Sequence, residues 1–119
     1  GIESLSEFPG ESLGIGPVVV SAHVRKASHK VRLGIEERDL SVRAGANGAV
    51  TLIYQGGSLC MPGVSADLSG YAPDAARIVL SKHKLGEGDI VLLVFADNYY
   101  RALEGALSAA RALTEERVG

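Results

Sequence analysis

The chain has 119 residues, 46% of them hydrophobic, and a formal net charge of −2. That length and apolar share suit one domain over residues 1–119, large enough to bury a core without covalent staples. So small a charge exerts no global pull on nucleic acid or an anionic membrane, and the lone Cys60 excludes both an internal disulfide and a multi-cysteine metal site.

The opening run from Gly1 to Glu7 lacks a basic stretch followed by an apolar one, so no secretory signal is expected. The longest apolar run, at about eight residues, is well short of the roughly 20 needed to span a bilayer. These features point to a cytoplasmic protein with no membrane partner. Abundant alanine, valine, leucine, glycine and arginine hint at a GC-rich or thermophilic source.

Residues 1–16 contain Pro9, Gly10, Gly14 and Gly16 and read as an irregular arm or edge strand. Residues 17–57 are β-rich. Val18, Val20, Ala22 and Val24 alternate with Val19, Ser21, His23 and Arg25, which predicts a half-buried strand. Val31, Leu33 and Ile35 resume the alternation after a polar turn. Glu36 to Asp39 interrupt it as a turn or bulge would, before Leu40 and Val42 restore it. Asn47-Gly48 signals a tight turn between strands, and Ala49 to Tyr54 form the next strand, closed by Gly56-Gly57.

The period changes over residues 72–118, which read as helix, strand, helix. Pro73 suits a first helical position and Asp74 the positive end of the dipole. Lys82, His83 and Lys84 fall in the last turn, and Gly86 is a natural stop. Ile90 to Phe95 leave no polar face, so this strand needs cover on both sides. The final helix carries Tyr99, Leu103, Ala106, Leu107, Ala110 and Leu113 on one stripe. Ala102, Gly105, Ala109 and Ala112 form a second, nearly smooth stripe, which suits either close packing on the sheet or contact with another subunit.

The predicted architecture is therefore α+β: an antiparallel sheet of about four to five strands with two helices, in the order βββαβα. Filling a layer on both faces of the apolar strand is difficult for one short chain. That predicts a homo-oligomer, with a small binding or assembly module as the leading reading.

Chemistry-bearing residues are sparse. Arg25, Lys26, His29, Lys30 and Arg32 cluster on the first predicted hairpin, where they suit either phosphate binding by an RNA regulator or simple solvation. No aromatic residue interleaves them. Gly56 to Gly63 is the most site-like loop, with Ser58 and Cys60 as candidate nucleophiles, although it matches neither a phosphate-binding loop nor a nucleophile elbow. Asp97, at the start of the last helix, is a third candidate catalytic group, or its neighbour Asn98 or Asp97 itself is the cap. An enzyme or small-molecule pocket built from Ser58, Cys60 and Asp97 at a subunit boundary is the alternative reading. His23, His29 and His83 lack metal-ligand spacing, and no cofactor is implied.

Two stretches carry local resemblances. Leu5-Ser-Glu-Phe-Pro-Gly-Glu-Ser-Leu-Gly-Ile-Gly16, followed by Lys30 to Ile35, resembles the opening of the carbon storage regulator family, small dimeric RNA-binding proteins. Glu7 and Phe8 replace that family's basic residue, and its second RNA-contacting arginine is matched only by Arg43. Gly88 to Gly119 is similar to the last strand and helix of bacterial microcompartment shell proteins. The βββαβα order resembles the second domain of ribosomal protein S5 in topology alone. No functional residue is carried over from any of these.

Overall fold

The computed structural model describes residues 2–9, 17–62 and 67–114, and for Phe8, Pro9 and Tyr71 the backbone. The glycine-rich stretch 10–16, Gly63 and residues 115–119 lie outside the described residues. In chain order the elements are β1 (Ile2–Pro9), β2 (Val18–Val24), a 3-10 turn (Ser28–Lys30), α1 (Ile35–Arg43), β3 (Gly48–Gln55), β4 (Ser58–Cys60), α2 (Leu68–Tyr71), α3 (Pro73–Lys82), β5 (Ile90–Ala96) and α4 (Tyr99–Thr114).

The apolar run chosen for burial is the middle of the sheet. All pairings are antiparallel and the strand order is β1-β2-β5-β3-β4. Val20 and Ala49 both pair with Val94, so β5 has a neighbour on each side. Ile90, Leu92, Val94 and Ala96 face a cluster with Ala102, Ala106, Ala109, Ala110 and Leu113 of α4. Val91 and Leu93 face the opposite cluster, with Leu68 of α2 and Ala76 and Val79 of α3.

Helices of the same chain thus cover both faces of β5. The layer that one short chain was expected to have difficulty supplying comes from the chain itself. The two expected helices lie on opposite faces of the sheet, α4 on one and α3 with the short α2 on the other, and the described residues hold four α-helices instead of two. The order ββαββααβα replaces βββαβα, so the S5-like topology is not adopted.

The displaced element is α1, expected as strand. Its inward residues are Glu37 and Ser41, both buried, so its core-facing side is polar and leaves no apolar helical period to read. Asn47-Gly48 likewise connects α1 to β3 instead of turning a hairpin. A Cβ at Gly48 would lie 2.5 Å from Cζ of Phe95, so any side chain there would push that ring aside. Gly56 and Gly57, at φ 61° and 78°, do form the hairpin turn between β3 and β4.

Candidate functional site

The strongest convergence of polar side chains is buried, on the α3 side of the sheet. Strand alternation puts Ser21 and His23 of β2 on the same face as Val19. β1 lies alongside, with Ser4 opposite His23 and Ser6 opposite Ser21. His83 ends α3, its N–H donating to the Val79 carbonyl. Asp89 stands immediately before β5.

His23 Nε2 lies 2.6 Å from Asp89 Oδ2, with both residues buried. Asp89 also accepts from the backbone N–H of Lys26 at 2.9 Å and of Gly86 at 2.9 Å. His83 sits between two serines, with Nδ1 2.7 Å from Ser4 Oγ and Nε2 2.6 Å from Ser21 Oγ. The two imidazoles meet edge to face at 5.7 Å between centroids. His23 Nδ1 is buried without a partner.

Burial, with the neighbouring His23 and Lys82 adding to it, lowers the His83 pKa to about 4. His83 is therefore neutral at pH 7. One ring nitrogen donates and the other accepts, so one serine hydroxyl accepts and the other donates. Burial alone would raise the Asp89 pKa, but the Gly86 N–H, His23 and the Lys26 N–H outweigh it and hold the carboxyl below its ordinary range. The network ties β1, β2, the end of α3 and the entry to β5 together. Ser21, His23, His83 and Asp89 are all buried, so they serve as a polar lock within the core.

In sequence, His23 alternates with apolar neighbours, as a surface or satisfied interface residue does, and His83 suits the last turn of a helix, so neither position reveals the network. The available signal was Ser and His two apart on one strand face, together with an aspartate abutting a strand with no polar side. Neither carries spacing that identifies its partner.

The basic residues do not sit on a hairpin. β2 pairs with β1 and β5, and Arg25 to Arg32 form the irregular link to α1. Arg25 faces Glu3 at 4.0 Å, with both side chains largely in solvent. His29 and Arg32 are exposed, and Lys26, at φ 50°, is a left-handed turn residue.

Ser58 and Cys60 are on edge strand β4 and Asp97 is at the far end of the sheet. Ile53 pairs with Cys60, whereas Gly48, five residues earlier on β3, pairs with Phe95. At strand spacing that is about 17 Å, so one chain does not bring the three candidates together. Ser58 instead interacts with the Asp67 carboxylate, which Ser69 mainly holds below its ordinary pKa range and which caps α2. Asp97 accepts from Asn47 Nδ2 at 3.1 Å, and Asn98 Oδ1 caps α4 by accepting from the Arg101 N–H at 3.0 Å.

Three residues of the smooth stripe, Ala102, Gly105 and Ala109, are buried inside the chain, and Ala112 is exposed. Ser41 Oγ donates to the Gly105 carbonyl at 3.0 Å, so α1 occupies part of that stripe. Outside this contact, α1 and α4 leave a groove of about 430 Å³ lined by Leu40, Ala44, Glu104, Leu107, Arg111 and Ala112. Tyr100, 77% exposed, stands on the same helix row one turn before Glu104. Among the described residues there is no cluster suited to a metal ion and no helix long and apolar enough to cross a membrane.

The fold is similar to that of the hypothetical protein PH0730 from Pyrococcus horikoshii OT3, with a TM-score of 0.76 at 20% identity. The match covers 94% of this chain and 56% of that one, so this chain spans little more than half the length of that protein. No curated protein matches the chain. Residues 15–113 match the family described as a domain of unknown function, DUF4443, and the chain belongs to that family.

Proposed function

We propose that this domain is a non-enzymatic binding and assembly module that forms a homo-oligomer by pairing the outer face of α4 with the same face of a second copy. The observation carrying this reading is the charge pattern along the groove. Glu104 and Arg111 are both exposed, seven residues apart, and both line it. Seven residues make about two helical turns, so the pair shares one face roughly 10 Å apart along the axis. Between them lie Leu107 and Ser108.

A two-fold axis at Leu107 and Ser108, with the helices antiparallel, sets Glu104 of each copy opposite Arg111 of the other. An isologous contact requires this self-complementarity. Ala112 and Leu107 supply close-packing apolar area, and Tyr100 is a residue type enriched in interface hot spots. The lone Cys60 suits a cytoplasmic setting. The RNA-binding reading has less support, because the basic residues lie along an irregular link beside Glu3 and Asp89 without an aromatic platform.

Sedimentation equilibrium tests the reading. Wild-type protein is expected to dimerise, and E104R or R111E alone to weaken association at least tenfold by opposing like charges. The double charge swap is expected to recover most of the loss. A wild-type protein that stays monomeric at millimolar concentration, or a double variant no stronger than the singles, overturns it.

A further inference from the structure

Strand β1 is held differently from the rest of the sheet. It is a margin strand, and among the described residues it pairs with β2 alone. Neither apolar cluster draws a described side chain from it, and Ile2 and Leu5 are 37% and 42% exposed. A strand that buries so little apolar surface is secured mainly by its ladder and its polar ties.

Two of those ties run into the buried histidine network. Ser21 Oγ donates to the Ser6 carbonyl at 3.4 Å, and Ser4 Oγ lies 2.7 Å from His83 Nδ1. With its hydrogen directed at Ser6, the Ser21 hydroxyl accepts from His83, so Nε2 carries the ring hydrogen. Nδ1 is then the bare nitrogen and accepts from the Ser4 hydroxyl. A proton taken up by the ring must go to that same nitrogen, where it displaces the hydrogen that ties β1 to the end of α3.

No carboxylate stands ready for the charge. From β2 the ring meets His23 and from α3 Lys82, both of which oppose protonation, and the exposed Lys84 follows it in sequence. Asp89, before β5, is committed to His23 and to the Lys26 and Gly86 N–H groups. On β1 itself, Glu3 reaches Arg25, and Glu7 is opposite Val20, on the α4 side of the sheet.

We propose that β1 is an acid-released latch: a proton on His83 Nδ1 lets the strand lift from β2 as a unit, baring the β2 edge, while β2 to β5 and their helices stay folded. The device lies within one chain and is independent of pairing through α4.

Native-state hydrogen exchange tests this. The amides of residues 4–7 are expected to exchange through an opening that hardly responds to dilute urea, whereas Leu92 and Val94 exchange through one that responds steeply. The ring's pKa is about 4 when closed in and 6.5 in its ordinary state. Lowering the pH from 7 to 5 should therefore raise the population of the β1 opening about twentyfold, after correction for intrinsic exchange. H83Q cannot titrate and should cut that response to under about twofold. S4A removes the tie itself and should raise the opening about fivefold at pH 7, which decides the matter should H83Q not fold. β1 amides that share the urea response of Leu92, a population unchanged between pH 7 and 5, the full pH response in H83Q, or an S4A protein that opens no more than wild type overturns the proposal.

Discussion

His83 makes the fold sensitive to acid. In the folded protein its pKa is about 4, against an ordinary value of 6.5. Below pH 6.5 the unfolded chain takes up a proton that the folded chain refuses, so stability falls as pH drops from about 6.5 towards 4. The loss approaches roughly 3 kcal/mol at the low end. Asp89 works in the same direction at lower pH. Its folded pKa is depressed, so its contribution is present above the ordinary value and disappears as pH falls through the folded one. Urea unfolding at pH 7, 5.5 and 4.5 should show the decline, and H83Q should flatten it. A wild-type midpoint constant over that range would contradict this account of His83. Removing Asp89 is a harsher change, since D89A strands His23 and the Lys26 and Gly86 N–H groups together. A loss of about 3 kcal/mol is expected in the same assay.

The contact between α1 and α4 depends on one residue without a side chain. A Cβ at Gly105 would lie 2.8 Å from Ala46 Cβ, 2.9 Å from Val94 Cγ1 and 3.1 Å from the Ser41 carbonyl oxygen. Alanine raises intrinsic helix propensity by about 1 kcal/mol, but overpacking at three fixed neighbours outweighs it. G105A should therefore be net destabilising by about 1–2 kcal/mol, measured by thermal or chemical unfolding. A stabilised G105A would mean that α1 yields easily. This contact also shows what could be read from the sequence. The period of α4, the Pro73 start of α3 and the apolar character of β5 were legible because each depends on its own residues. The identity of α1 was not, because its inner side uses Ser41 and Glu37 to meet a carbonyl and a sheet, and polar burial mimics no helical period. The pairing of His23 with Asp89 and of Ser21 with His83 was hidden for a related reason. It depends on strand order, which puts residues more than 60 positions apart in contact.

As a whole the molecule is a three-layer sandwich in which an antiparallel sheet is covered by helices on both faces. Leu92, fully buried beneath α4, should cost about 2–5 kcal/mol when cut to alanine, read from the shift in urea midpoint. Because β5 is shielded within one chain, its amides should exchange with deuterium most slowly even in dilute solution, where any dimer has dissociated. Fast exchange at Leu92 and Val94 that slows only at high concentration would show that a partner completes the layer after all.

The strand order has a consequence for synthesis. β2 and β3 bond not to each other but to a ribbon made after both of them. Once β3 has been made and until β5 follows, each has a bare edge beside the gap that β5 will fill. Tight docking must wait for the seven residues Ile90–Ala96 to emerge. A translation pause that holds β5 inside the ribosome should lengthen that exposed interval and increase capture by chaperones, whereas a pause after β5 has emerged should have little effect.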